Sequence, residues 1–136
     1  MSLENRLPIV NFPEKSGTYK FAELIIYNRP ILRFANYDND DMRNYFKSWT
    51  PAIINDVAII LNETYPLMDF DHGKLGKHKI PKKESEWYSL VGAGYAKIDV
   101  ENKLVKEFLG KSCVYPGIDY DFLEVMRPLV LPWRFQ

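Results

Sequence analysis

Apolar residues concentrate in two early runs that are separated by turn residues. Residues 19–27 and 31–37 are rich in β-branched, aromatic and leucine side chains, and an Asn-Arg-Pro sequence stands at 28–30. Such runs favour strands, and asparagine and proline favour turns. The pattern therefore predicts a β-hairpin. Residues 1–18, which are irregular and interrupted by prolines, predict an arm lying on the domain that adds at most a short edge strand.

The periodicity then changes to that of helices. Asp38, Asp40 and Asp41 are residue types that favour the start of a helix, and apolar residues follow at helical spacing, so a helix is predicted over 39–49. Pro51 cannot continue that helix without a clash, so a second helix is predicted to begin at this point. It is apolar on nearly every side, which predicts a central, buried position.

The second half of the chain repeats the strand pattern. Residues 87–100 and 104–109 predict two antiparallel strands joined by a tight turn at Glu101 and Asn102. Gly92 and Gly94 interrupt the first of these strands and predict a bulge or a bend.

The last elements complete a fold prediction. Asp119 or Asp121 is expected to cap a final helix that ends before Pro128, and residues 129–136 predict an apolar extended tail. The order of elements predicts one compact α+β domain over residues 1–136. Its expected architecture is a two-layer sandwich, in which an antiparallel sheet of two hairpins packs against two or three helices.

The stretch at 70–86 shows neither the helical nor the strand spacing of apolar residues, and it is interpreted as a basic loop. A loop of this length in a compact domain is usually functional or disordered. Its charge can attract an acidic protein surface or phosphates, although a solvated loop is the simpler explanation. The candidate binding residues in it are Lys74, Lys77, Lys79, Lys82 and Lys83.

The same region contains the only grouping that suggests metal or acid–base chemistry. Asp69, Asp71, His72 and His78 combine carboxylates with imidazoles, which bind divalent ions or act as general bases near neutral pH. Their spacing matches no known metal-binding template, so they stand as an alternative metal site only. The sequence contains no nucleotide-binding motif and no hydrolase motif. No cofactor is predicted.

Two further surfaces are candidates for protein binding. Asp38, Asp40 and Asp41 could form part of an acidic face, although helix capping accounts for them. Trp133, Arg134 and Phe135 are of the types enriched at the energetic centres of interfaces. The alternative for the tail is that Trp133 and Phe135 fold back to close the core.

Composition narrows the class of protein. The 136 residues are 46% hydrophobic, with 18 basic and 18 acidic side chains, so a real core is expected and a nucleic-acid coat protein is disfavoured. Cys113 is the single cysteine, which excludes an intramolecular disulfide and favours a cytoplasmic setting. Neither a signal peptide nor a membrane segment is expected.

These observations favour a non-enzymatic protein-binding module. An immunity protein or an inhibitor from a bacterial or phage conflict system would be such a module. The expected partner is another protein, with no sequence-specific nucleic acid and no membrane. One alternative is a small metal-dependent hydrolase that uses Asp69, Asp71 and His72. Another is a subunit of a larger assembly, with the apolar tail docking on a neighbour. The sequence leaves the oligomeric state open.

Overall fold

A computed structural model describes residues 6–35, 49–64, 67–71, 77–81, 84–110 and 117–136. Its elements, in chain order, are β1 (Gly17–Ile26), β2 (Arg29–Phe34), α1 (Trp49–Leu61), β3 (Leu67–Asp71), β4 (Lys77–Pro81), β5 (Tyr88–Asp99), β6 (Leu104–Leu109), α2 (Tyr120–Met126) and β7 (Arg134–Phe135). A single 3-10 turn, Arg127–Leu129, continues α2. The helix predicted over 39–49 lies outside the described residues.

Five strands form the main sheet in the order β2-β1-β5-β6-β7, and this sheet curls into a half-barrel. Its neighbours are antiparallel except β6 and β7, which run parallel. The predicted two-layer sandwich is therefore wrong: the described part of the chain is mostly sheet, with only two short helices. The two predicted antiparallel strand pairs do occur, as β1 with β2 and β5 with β6.

The physical reason for this difference is that the central strands are apolar on both faces. Alternate residues of a strand belong to opposite faces of the sheet. On β1, Ala22, Leu24 and Ile26 join one buried cluster, whereas Phe21 joins another. Each face therefore needs its own cover, and the two helices take opposite sides of the sheet.

Helix α1 covers the first face. Ile53, Ile54, Val57 and Leu61 pack in the cluster that contains the inner residues of β1. Burial of each such side chain is worth about 1.5–3 kcal/mol, which makes this helix a main support of the fold. The predicted burial on nearly every side is too broad, because Ile59 is 69% exposed.

Helix α2 and the tail cover the second face. Phe122, Leu123 and Met126 of α2 pack with Phe135 of β7 and with Phe21 of β1. Asp119 is the N-cap of α2, and its carboxylate accepts a hydrogen bond of 3.0 Å from the backbone N–H of Phe122. The cap predicted at Asp119 or Asp121 is thus confirmed at Asp119.

Both edge strands of the main sheet carry contacts that hinder pairing with a strand of another molecule. At the β2 edge, the backbone N–H of Leu32 donates to the Ile9 carbonyl at 2.8 Å, and the Asn11 side chain bonds both backbone groups of Phe34. At the β7 edge, the Arg127 guanidinium donates to the Phe135 carbonyl oxygen. Such covers prevent edge-to-edge association, which explains how a curled open sheet is tolerated.

Local turn chemistry explains the strand pairing. Tyr27 and Asn28 both have positive φ, of 48° and 65°, in the two-residue loop between Ile26 and Arg29. This is the geometry of a type I′ hairpin turn, so the turn lies one residue earlier than the sequence predicts. The irregularity predicted near Gly92 is confirmed as a register shift between β1 and β5.

The stretch predicted as a basic loop contains a hairpin instead. Strands β3 and β4 pair antiparallel as a separate two-stranded sheet. Glycine, proline and lysine, which are frequent in this stretch, have low strand propensity, which is why the sequence pattern did not reveal the hairpin. No helix in the described ranges combines the length and apolar character that crossing a bilayer requires.

Candidate functional site

Several predicted site residues lie outside the described part of the chain. They are the acidic helix start and much of the lysine-rich stretch: Asp38, Asp40, Asp41, His72, Lys74, Lys82 and Lys83. Their proposed roles stay predictions.

The remaining members of the lysine and metal sets lie on the β3–β4 hairpin. Backbone pairing sets Asp69 opposite Lys79 and Asp71 opposite Lys77, while His78 is in register with Phe70. Positions of opposite charge that face each other across a ladder commonly stabilise a hairpin. Among the described residues, no group of three or more histidine, cysteine or acidic residues is placed to hold a metal ion.

The three candidate residues of the tail have different environments. Phe135 is buried in the cluster with α2, and Trp133 is half-buried against the ring of Phe12. Arg134 is exposed, and within the described ranges it has no acidic partner. Of the three, only the middle residue is therefore exposed, while the two aromatic residues fix the path of the tail.

An apolar surface with two arginines adjoins this tail. Val125 is 59% exposed, Leu129 is 52% exposed and Leu131 is 68% exposed, which is unusual for large side chains within one short segment. Of these three, Leu131 helps to line a groove of about 330 Å³, together with Arg127, Trp133 and Arg134. We call this the C-terminal surface, defined as Val125, Arg127, Leu129, Leu131, Trp133 and Arg134.

The first of these two arginines holds the C-terminal surface in shape. The Arg127 guanidinium contacts the Glu124 carboxylate at 2.8 Å, and it also donates to the Phe135 carbonyl. These contacts join the end of α2 to the edge strand β7. The guanidinium of Arg134, by contrast, forms no salt bridge with any of the described residues.

A second unusual feature is a buried carboxyl on β1. Glu23 has no accessible surface, and its Oε1 accepts a hydrogen bond of 2.7 Å from the backbone N–H of Asp119. Its Oε2 has no hydrogen-bond partner within the described residues. Burial raises the pKa of Glu23 to about 7, the Asp119 carboxylate acts in the same direction, and the hydrogen bond from Asp119 opposes them.

Glycine makes the space for this carboxyl. A Cβ added at Gly92 would lie 2.6 Å from the Gly117 carbonyl oxygen and would collide with Oε1 of Glu23. The chain at 117–119 therefore crosses the sheet in direct contact with β5. A shallow cavity of about 380 Å³ lies on the outer side of this crossing, lined by Val91, Gly117, Ile118, Asp119, Tyr120 and Asp121.

Sequence reasoning missed Glu23, although a signal was present. This acid stands alone inside the apolar run of residues 21–26, where a buried charge is costly unless it is paired or neutral. A perturbed carboxyl often marks an active site. Here Glu23 is not among the residues that line the adjacent cavity, and among the described residues it belongs to no group of three or more histidine, cysteine or acidic residues that could hold a metal ion. Its visible contact is structural, with the cap of α2.

Comparison of the chain with protein-family models, with curated proteins and with solved structures finds no match. The two local features, the C-terminal surface and the buried Glu23, therefore carry the functional argument.

Proposed function

We propose that the protein is a non-enzymatic protein-binding module and that the C-terminal surface is its binding site. The observation that carries the proposal is the exposure of Val125, Leu129 and Leu131 within one short segment, together with the groove that Leu131 lines with Arg127 and Arg134. Exposed apolar groups surrounded by polar ones are typical of protein interaction sites, and arginine and tryptophan dominate the energetics of many interfaces.

The chemistry of the surface supports a specific kind of partner. Within the described part of the chain Arg134 has no acidic partner, and Glu124 offsets only one of the two guanidinium groups. A partner segment that carries a carboxylate next to a large apolar side chain would satisfy both the charge and the groove. Guanidinium and carboxylate pair through two parallel hydrogen bonds, which also orients the partner.

A narrower form of the proposal is an immunity or inhibitor protein of a bacterial or phage conflict system that acts in the cytoplasm. The absence of catalytic motifs from these 136 residues and their single cysteine support it. The subunit hypothesis uses the same surface with a permanent neighbour. The hydrolase alternative, through Asp69, Asp71 and His72, gains no support from the described residues, since both aspartates are in register with lysines.

A peptide-display selection on the immobilised protein tests the proposal. We expect enrichment of peptides that combine aspartate or glutamate with leucine or phenylalanine. Binding of the selected peptides should fall at least about tenfold in Leu131→Ser and Arg134→Glu, since loss of one hot-spot contact costs more than about 1.4 kcal/mol. The matched control is Ile59→Ser, because Ile59 is equally exposed but lies on α1, across the sheet.

Equal binding by all three variants, with folding verified by circular dichroism, would exclude the C-terminal surface as the site. Self-association of the wild-type chain that Leu131→Ser abolishes would support the subunit hypothesis in place of a foreign partner. Selection of no peptide by a monomeric, folded protein would count against both.

A further inference from the structure

The segment before α2 is held on the sheet by very close packing. Besides the contact at Gly92, a Cβ at Gly94 would lie 2.7 Å from Cγ1 of Ile118, and one at Gly110 would lie 2.8 Å from the backbone nitrogen of Ile118. The segment 117–119 thus rests on three positions without side chains. The hydrogen bond from Asp119 to Glu23 joins this segment to β1, 96 residues away in the sequence.

Helix α2 depends on this attachment. Asp119 donates its backbone N–H to Glu23 and accepts from Phe122 through its carboxylate, so one residue links the sheet to the helix start. A seven-residue helix is too short to persist without tertiary support. Release of Asp119 from Glu23 would therefore loosen α2 as well.

We propose that protonation of Glu23 keeps segment 117–119 and α2 closed on the sheet, and that ionisation of Glu23 opens them and weakens partner binding at the C-terminal surface. The binding half of this inference rests on the proposed function, whereas the opening half stands on the Glu23 contacts alone.

The surroundings of Glu23 favour its neutral form when the segment is closed. Its neighbours in register on β2 and β5 are Leu32 and Gly92, which carry no charge. The crossing segment brings the Asp119 carboxylate, and Asp121 stands exposed in the first turn of α2. No cation among the described residues pairs with Glu23. An ionised Glu23 regains water only when the segment moves away, so ionisation favours opening.

The opening reaches the C-terminal surface through α2. Arg127 caps the far end of this helix, and its guanidinium joins α2 to β7 and lines the groove. Val125 and Leu129 stand one turn apart on the same helical segment. When α2 is loosened, these side chains are no longer held together. A partner must then order them on binding, and its apparent affinity falls.

Amide hydrogen exchange across a pH series tests the opening. With a carboxyl pKa near 4.5 in the open state and about 7 in the closed state, the population of the open state rises about 25-fold between about pH 5.5 and 8. Protection of the Asp119 and Phe122 amides, corrected for intrinsic exchange, should fall by that factor. Amides in the centre of β1 should stay protected, which distinguishes local opening from global unfolding.

The variants make the test specific to one carboxyl. Glu23→Gln retains an oxygen acceptor for Asp119 and should change protection less than about twofold, whereas the matched control Glu101→Gln, at an exposed turn, should follow the wild type. An equal fall in Glu23→Gln would overturn the inference. If that variant does not fold, carbon-13 titration of Glu23 in the wild type decides: the protection of the Asp119 amide must stop falling near the midpoint of this titration, and a midpoint near 4.5 contradicts the inference.

A selected acidic peptide then tests the link to binding. Its affinity for the wild type should weaken severalfold from about pH 5.5 to 8 and should stay constant for Glu23→Gln. Constant affinity in the wild type, with exchange changing as expected, would overturn the regulatory link while leaving the binding proposal intact. Absence of peptide binding at every pH would overturn the binding proposal and leave the opening to be judged by exchange.

Discussion

Trp133 stacks on Phe12 with ring centroids 4.0 Å apart and ring planes only 6° from parallel. This contact joins the tail after α2 to the arm before β1, so segments from the two ends of the sequence close over the same cluster. Aromatic pairs of this kind contribute about 0.5–1.5 kcal/mol beyond the area they bury.

The stacked pair should be visible in a double-mutant cycle. We expect Trp133→Ala and Phe12→Ala each to lower the free energy of unfolding by about 2–3 kcal/mol, with a coupling energy of about 1 kcal/mol. Urea denaturation measures both. Leu131→Ala is the control, since that side chain is 68% exposed and its loss should change stability by less than about 0.5 kcal/mol. Additive effects of the two aromatic substitutions would show that the stacking contributes nothing.

Global stability should depend on pH through Glu23. Its pKa is higher in the folded protein, at about 7, than its ordinary 4.5. The contribution of Glu23 is therefore fully present below about pH 4.5, and it is lost as the pH rises to about 7, because the unfolded chain has already released the proton. The total loss is about 3 kcal/mol at most.

Glu23→Gln should remove this pH dependence. The free energy of unfolding of the variant should therefore rise relative to that of the wild type between about pH 5 and 7.5. Urea denaturation at half-unit pH steps measures the difference. A difference that stays constant over this interval would mean that Glu23 is already ionised in the folded protein.

Gly92→Ala should be strongly destabilising. The new methyl group would meet the Gly117 carbonyl oxygen at 2.6 Å and the backbone nitrogen of Asp119 at 3.0 Å, and backbone cannot move as cheaply as a flexible side chain. We expect a loss of about 2–3 kcal/mol, measured by thermal or urea unfolding. The matched control is Gly17→Ala, whose nearest neighbour is a Tyr19 ring atom at 3.5 Å. Equal effects at both glycines would contradict the close crossing at Gly92.

The ion pair between Arg33 and Asp56 should be asymmetric in its response to mutation. It joins β2 to α1 at 2.7 Å, and the arginine side chain is only 11% exposed. Asp56→Asn leaves a mostly buried cation without its anion and should cost about 2–3 kcal/mol. Replacing both residues, as Arg33→Met with Asp56→Leu, should cost less than the single change, since no charge is then stranded. Urea denaturation compares the two variants, and a double variant less stable than Asp56→Asn would contradict this account.

Local chemistry predicted much of the element sequence. Asp119 caps α2, the β1–β2 and β5–β6 pairs form, and the strand is irregular near Gly92, because each depends on residues close together in the chain. The helix that contains Pro51 was also expected, and its inner residues Ile53 and Val57 are buried. Turn boundaries were less accurate: the turn predicted at Glu101 and Asn102 extends to Lys103, which has a positive φ of 53°.

The functional residues could be predicted less well than the elements. Trp133, Arg134 and Phe135 were identified as a group by residue type, but one of the aromatic rings is buried and the other is stacked on Phe12, which periodicity cannot reveal. Val125, Leu129 and Leu131 look like ordinary apolar residues in the sequence. Their exposure depends on which side of α2 and of the turn that follows it faces the sheet.

The sequence by itself determined a real apolar core, the main helices and strands and the absence of a local catalytic motif, since these follow from composition and from neighbours along the chain. Only the tertiary structure decided that both faces of the sheet are covered, that β7 adds in parallel beside β6, and that Glu23 lies beneath Asp119. Each of these depends on contacts between residues far apart in the chain. The spacing of apolar residues along the sequence does not indicate which distant surfaces come into contact.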